Sequence, residues 1–316
     1  MSSAAPLVAA ADTSALVAPA AEAGSVLADV SRLVRPRIAL MVLATVVSAY
    51  WLTGGARDGV HLLGLLAGTA LVAASSSIAN QVLERDTDRL MPRTARRPIV
   101  AGRLAVGSAW LAAATTLAAG VVAMTLAAGW PPTAAAVATW LLYVVVYTPL
   151  KKHSPLNTAV GAVAGALPVA IGWLAADGPA RLAGGDAASA LTASALGTVL
   201  YLWQFPHFMA IAWLYRRQYA AAGLRMLTVD DPSGLRAAGQ SLAAALAMIP
   251  VSLVLAVPSA SIRLFLAAAV ASVIYAGAAV RFAVRRDDAS ARTLLFVSLG
   301  SLLALLTAAV VFGQPR

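Results

Sequence analysis

The chain has 316 residues, 60% of them hydrophobic and 11% charged, with a mean hydropathy of +0.82; soluble domains carry roughly 25% charged residues, so the composition excludes a soluble globular protein and specifies a polytopic membrane one. Cysteine is absent, which excludes disulfides, thiolate metal ligation and a cysteine nucleophile. The formal net charge of +10 does not point to nucleic acid, because the basic residues lie in short connections between apolar spans, where membrane topology accounts for them first.

Residues 1–30 read as a disordered cytoplasmic tail ahead of a membrane domain over 31–316. The tail is Ala-rich with scattered acids (Asp12, Glu22, Asp29) and lacks the basic segment that opens a cleaved signal peptide. Apolar windows of roughly 17 to 25 residues, the length that crosses a bilayer core, follow at 38–54, 60–83, 105–128, 132–149, 156–176, 189–214, 238–257, 262–283 and 292–312. They predict an all-α bundle of nine transmembrane helices with its termini on opposite sides. With the N-terminus cytoplasmic, 19 of the 23 lysines and arginines fall on the cytoplasmic side, leaving Arg57, Arg181, Arg263 and Arg316 outside. Polar chemistry gathers in the cytoplasmic connections after the second, fourth and sixth spans.

The second span ends in the densest of these, Asn80 to Pro98. On a helix, Asn80, Glu84 and Asp88 fall within about 80° of one another and present one oxygen-rich stripe, whereas Asp86 points elsewhere. Oxygen donors beside guanidinium groups at the mouth of a membrane helix suit a Mg²⁺-bound phosphate or diphosphate. The plainer alternative is that the acids only neutralise neighbouring arginines. Pro92 is expected to end the helix at the residue before it. Arg93 and Arg97 are placed to hold phosphate oxygens bidentately or to serve as positive-inside anchors.

After the fourth span come Tyr147-Thr148-Pro149-Leu150-Lys151-Lys152 and Asn157, then Gly161-x-x-x-Gly165. The glycines read as helix packing and the two lysines as topological anchors, with one of them, a mobile point charge, as a candidate to reach a phosphate. The sixth span contains Trp203-Gln204-Phe205-Pro206-His207-Phe208 and leads to Gln218-Tyr219, Asp230 and Asp231. A histidine in an apolar helix beside Gln204 and a helix-breaking proline suits a cavity, where neutral imidazole ligates a haem iron or accepts a proton. His61 and His153 read as incidental.

Taken in order from Arg35-Pro36-Arg37 to the last span, these blocks resemble the protohaem IX farnesyltransferases, a branch of the UbiA superfamily of intramembrane prenyltransferases. Asn80 to Pro98 resembles the family's first acidic motif, Tyr147 to Lys152 and Asn157 to Pro168 match two further segments, and Trp203 to Phe208 is the most specific block. The resemblance implies transfer of a farnesyl group from farnesyl diphosphate to a vinyl group of haem B, with addition of water, giving haem O. It implies Mg²⁺ on Asn80, Glu84, Asp88 and Gln218, diphosphate on Arg93, Arg97 and Lys151, and haem B, a substrate and not a cofactor, near His207, Trp203, Gln204 and Tyr219. It further implies the lipid bilayer of a bacterial inner membrane and a haem A synthase or terminal oxidase assembly as recipient. Gln218 departs from the pattern, since the family commonly has an acid there, and Asp230 and Asp231 in the same loop are alternative donors. A UbiA relative acting on a quinone precursor or chlorophyllide, a transporter and a haem carrier are the competing readings.

Overall fold

The computed structural model describes residues 25–55 and 58–313, and among these every regular element is helical. In chain order the helices are α1 (Val26–Val34), α2 (Pro36–Leu52), α3 (Gly59–Leu83), α4 (Arg85–Asp88), α5 (Val106–Ala128), α6 (Trp130–Leu141), α7 (Thr148–Leu150), α8 (Asn157–Ala166), α9 (Pro168–Ala175), α10 (Gly178–Ala183), α11 (Ala187–Leu214), α12 (Arg216–Ala221), α13 (Leu227–Asp230), α14 (Leu235–Val254), α15 (Ile262–Arg285) and α16 (Asp288–Phe312). A π-helical turn, Leu142–Tyr147, joins α6 to α7.

Local signals account for the boundaries. The Asp58 carboxylate accepts from the amides of Val60 (2.9 Å) and His61 (3.4 Å) and starts α3, and Asp186 and Ser261 cap α11 and α15 in the same way. Asp287 and Ser290 form a reciprocal capping box at α16. Gly129, at φ 81°, makes the tight reversal between α5 and α6, a conformation that penalises any residue with a Cβ.

Two of the larger apolar clusters hold the bundle together. One gathers α11, α14, α15 and α16 around Leu196, Met248, Tyr275 and Leu302. The other joins α2, α3, α5, α6 and α9 around Tyr50, Leu65 and Met124. Helices α3 and α5 cross at Gly68 and Gly120, where a methyl on either would meet the other's carbonyl oxygen at 2.9 Å; small residues of this kind let membrane helices approach closely. Gly161 and Gly165 serve differently, making room for the Tyr147 ring and the Gln204 amide.

Two sequence expectations need correction, the tail boundary and the helix end at Pro92, and the count of nine spans is met only in part by length and apolarity. Residues 25–30 are not tail: Ser25 caps α1, and Asp29 is held by Arg103 at 2.7 and 2.8 Å, tying α1 to the loop before α5. The rest of the expected tail lies outside the described residues. Each of the nine apolar windows corresponds to a helical segment, but seven are long and apolar enough to cross a membrane, or eight if α1 and α2, bent by 45°, are one span. Helix α11 is long enough but is diluted by its serines and threonines, Gln204 and His207. The helix after Asn80 also ends earlier than Pro92 requires. Glu84 leaves helical geometry at ψ 1°, and α4 stops at Asp88.

Candidate active site

The interruption at Glu84 does not disperse the acidic stripe. The Glu84 amide still donates to Asn80 O (2.9 Å) and the Asp88 amide to Glu84 O (2.8 Å), so the three side chains keep the spacing of one helix face. Asp88 and Asn80 are fully buried. Charges so placed need partners, because desolvation costs several kcal/mol per ion.

Two cations supply them. Lys151 Nζ lies 2.6 Å from Glu84 Oε1, and Arg97 Nη1 lies 3.6 Å from Glu84 Oε2 and forms a short ion pair with Asp88 Oδ2. Arg97 reaches back because Thr94 donates its hydroxyl to Asp88 O (2.9 Å), folding residues 88–97 into a compact turn. Burial drives the Glu84 carboxyl upward, but the charge and hydrogen bond of Lys151, with Arg97 and Arg35, outweigh it and leave the group below its ordinary value. Asp88 goes the other way. Burial and the neighbouring Glu84 outweigh Arg97 and raise its carboxyl.

A third cation comes from the Arg35-Pro36-Arg37 block, where the sequence resemblance begins. Arg35 adopts the left-handed conformation (φ 49°) between α1 and α2, immediately before Pro36, and its charge bears on Glu84, Asp88 and Arg97. Its Nη2 is buried without a hydrogen-bond partner. Three cations thus face two carboxylates, and the surplus positive charge favours a polyanion.

Asn80 is oriented by the π-helical turn. Its Nδ2 donates to Thr148 Oγ1 at 3.0 Å, and Thr148 in turn donates to Tyr143 O, five residues back, at 2.8 Å. The one hydroxyl proton of Thr148 is thereby committed, so toward Asn80 it can only accept. The amide therefore turns its oxygen away, and Asn80 Oδ1 is buried with no partner, as are Asp88 Oδ1 and Gln218 Oε1. No cluster of three His, Cys, Asp or Glu suited to a metal occurs among the described residues. The unpartnered oxygens of Asn80 and Asp88, on the same helix face as Glu84, nonetheless form a donor set suited to a hard divalent cation such as Mg²⁺.

The connections close over this cluster. Lys151 stacks on the Tyr147 ring at 4.3 Å, the Arg225 amide donates to Lys151 O (2.7 Å), and Asn157 Nδ2 bridges Ser154 O (2.7 Å) and Arg225 O (2.9 Å). Asn157 is thus a clip between two loops. Asp230 pairs with Arg225, and Asp231 accepts from Ser233 and from the Arg236 amide. Both are committed to local turns. Tyr219 is buried against Met91 and Leu224 and lies on the charged side; burial, the largest influence, raises its hydroxyl pKa against the opposing charges of Arg93 and Lys151. Arg93 is exposed and sits over the Tyr215 ring at 4.8 Å, making no salt bridge to the carboxylates.

The residues of α11 form a separate group. Trp203 and His207 stack 4.7 Å apart and face α16, where Trp203 Nε1 donates to Ser298 O (2.7 Å) and His207 Nδ1 meets Ser298 Oγ (2.8 Å). Gln204 faces α8, donating to Ala162 O at 3.0 Å. The four residues expected around haem therefore divide, with Tyr219 beside the charged cluster and Trp203 and His207 in an apolar seam. Ser298 carried no sequence signal beyond a hydroxyl in the last span.

Residues 41–306 match the UbiA prenyltransferase family. The chain belongs to that family. It is 45% identical to protoheme IX farnesyltransferase of Rhodopirellula baltica over 71% of this chain and 76% of the relative, and 37% identical to that of Solibacter usitatus over 86% and 94%. In fold, this UbiA-family chain is similar to digeranylgeranylglyceryl phosphate synthase, with a TM-score of 0.74 at 14% identity, covering 91% of this chain and 98% of that structure. It is similar also to a UbiA homologue from Archaeoglobus fulgidus bound to GPP and Mg²⁺, with a TM-score of 0.64 at 17% identity over 89% and 99% of the two chains. The all-helical bundle expected from the apolar windows is therefore that of a membrane prenyltransferase.

Proposed function

We propose that this chain transfers the farnesyl group of farnesyl diphosphate to a vinyl group of haem B, water supplying a hydroxyl, to give haem O and diphosphate. The observation that carries the reading is the cluster of Arg35, Arg97 and Lys151 against Glu84 and Asp88, in a chain whose relatives over most of their length are protoheme IX farnesyltransferases. A quinone precursor or chlorophyllide as acceptor is not what those relatives are named for.

In the reaction the allylic C–O bond breaks and its electron pair leaves with diphosphate. The vinyl group then supplies the electrons of the new C–C bond, and water adds to the adjacent carbon and loses a proton. Lys151 and Arg97, with Arg35, offset the charge developing on the leaving oxygens, and Arg93 at the rim meets the diphosphate as it enters. Asn80, Glu84 and Asp88, with Gln218 completing the set, would hold Mg²⁺, whose charge further stabilises the leaving diphosphate. The buried apolar bundle gives the farnesyl chain a dry path and keeps the cation from bulk water. His207 is the group on this chain suited to hold the haem iron or to take the proton from water, and both roles need a nitrogen lone pair.

In this reading the basic end of the bundle, with the N-terminus, faces the cytoplasm of a bacterial cell and the C-terminus lies outside, as the bias of Lys and Arg supports. The test is haem extracted from cells with and without the gene and separated by hydrophobicity. A farnesylated haem that appears only with the gene supports the proposal, and identical haem profiles would refute it.

A further inference from the structure

The seam between α11 and α16 fixes more than the position of His207. Trp203 and His207 are four residues apart and share one face of α11. A single residue of α16 meets both, since Ser298 accepts from Trp203 Nε1 through its carbonyl and contacts His207 Nδ1 through its hydroxyl. Tyr275 of α15 donates to Trp203 O at 2.7 Å and closes the network. Ser298 and Tyr275 are fully buried, so each polar atom must be satisfied within it.

The protons can be assigned. A serine hydroxyl has one, and Ser298 Oγ lies 2.6 Å from Leu295 O as well as 2.8 Å from His207 Nδ1. A carbonyl oxygen brings no proton, so the 2.6 Å contact is attractive only if serine donates to it. Toward the imidazole, Ser298 then offers a lone pair, and Nδ1 must carry the hydrogen. The opposite arrangement would press two oxygen lone pairs together in a buried seam. A neutral imidazole has one N–H. His207 Nε2 is therefore the nitrogen with the free lone pair, and it makes no hydrogen bond among the described residues.

We propose that Ser298 is a positioning residue that holds His207 as its Nδ1–H tautomer and so presents the Nε2 lone pair to the substrate. This deepens the function proposed above and rests on it only for what the lone pair meets, an electron-pair acceptor of the haem B half-reaction. Ligating histidines are commonly held in this way through their second nitrogen.

The test uses the full chain labelled with ¹⁵N-histidine in lipid nanodiscs, comparing wild type, Ser298→Ala and Ser298→Thr, with His207→Gln assigning the resonances. Wild type and Ser298→Thr should show a proton on Nδ1 and the downfield signal of a lone-pair nitrogen at Nε2, and Ser298→Ala should show mixed tautomers. With both substrates, Ser298→Ala should raise KM for haem B roughly tenfold, leave KM for farnesyl diphosphate unchanged, and be rescued by Ser298→Thr. If Ser298→Ala does not insert, Ser298→Cys, a weaker hydrogen-bond partner, replaces it. An Nε2–H signal in wild type overturns the proposal, as does an unchanged tautomer in the variant or an equal rise in both KM values. If wild type makes no haem product, the functional reading fails, and the ring-nitrogen signals still decide the tautomer.

Discussion

The mouth of the bundle and the α11–α16 seam solve the same problem, a polar group in apolar surroundings, by opposite means. At the mouth, Glu84 and Asp88 are matched by long cationic side chains, Arg97 from the compact turn that follows Asp88 and Lys151 from the end of α7. In the seam, His207 is held by the hydroxyl of one serine and by a stacked indole that is itself anchored to that serine's carbonyl. A charged ligand can draw Lys151 and Arg97 from their carboxylates. No comparable exchange is available in the seam. The contrast teaches that the first region is built to rearrange around an anion and the second to hold one orientation.

Substitutions can break that contrast. Asp88→Asn removes the charge that balances Arg97 while keeping the shape of the side chain, and release of diphosphate, followed in lipid, should fall on the order of 10²- to 10³-fold. His207→Ala should act on one substrate only, reducing kcat/KM for haem B roughly 100-fold while binding of farnesyl diphosphate stays within about twofold; equal losses would assign His207 to packing. Thr148→Val frees the Asn80 amide to turn, so the Mg²⁺ concentration needed for half-maximal turnover should rise roughly tenfold, and Thr148→Ser should restore it. Gln218→Asp should have the smallest effect, turnover equal to wild type or better by a few-fold. A severe loss there would remove Gln218 from the metal set.

Much of this was readable in the sequence, for physical reasons. A period of 3.6 residues fixed Asn80, Glu84 and Asp88 on one face, and even the break at Glu84 left them there because the i to i+4 amide bonds persist. The length of apolar runs located the helices; at α11 buried polar residues lower apolarity without preventing helix formation, so length and composition alone do not count it as a span. Arg35 entered only through the Arg35-Pro36-Arg37 block of the resemblance, since the sequence gives no sign that a left-handed turn before Pro36 brings its charge to bear on Glu84 and Asp88. The division of the expected haem group followed from tertiary packing. Helix α12 carries Tyr219 toward Met91, and Ser298, nearly a hundred residues beyond Trp203 and His207, becomes their partner only when α16 docks.

In the function proposed, buried cations at the mouth, with a divalent metal on the adjoining oxygens, release diphosphate from a farnesyl donor and deliver the farnesyl group to haem. The direct measurement is reconstitution of the purified chain in lipid with farnesyl diphosphate and haem B, following diphosphate and farnesylated haem together with and without Mg²⁺. Both products should form in equal amounts, only with the metal, and both should be lost in Asp88→Asn. Haem product formed at the same rate by Asp88→Asn, or no farnesylated haem from the wild-type chain with all reactants present, would contradict this function.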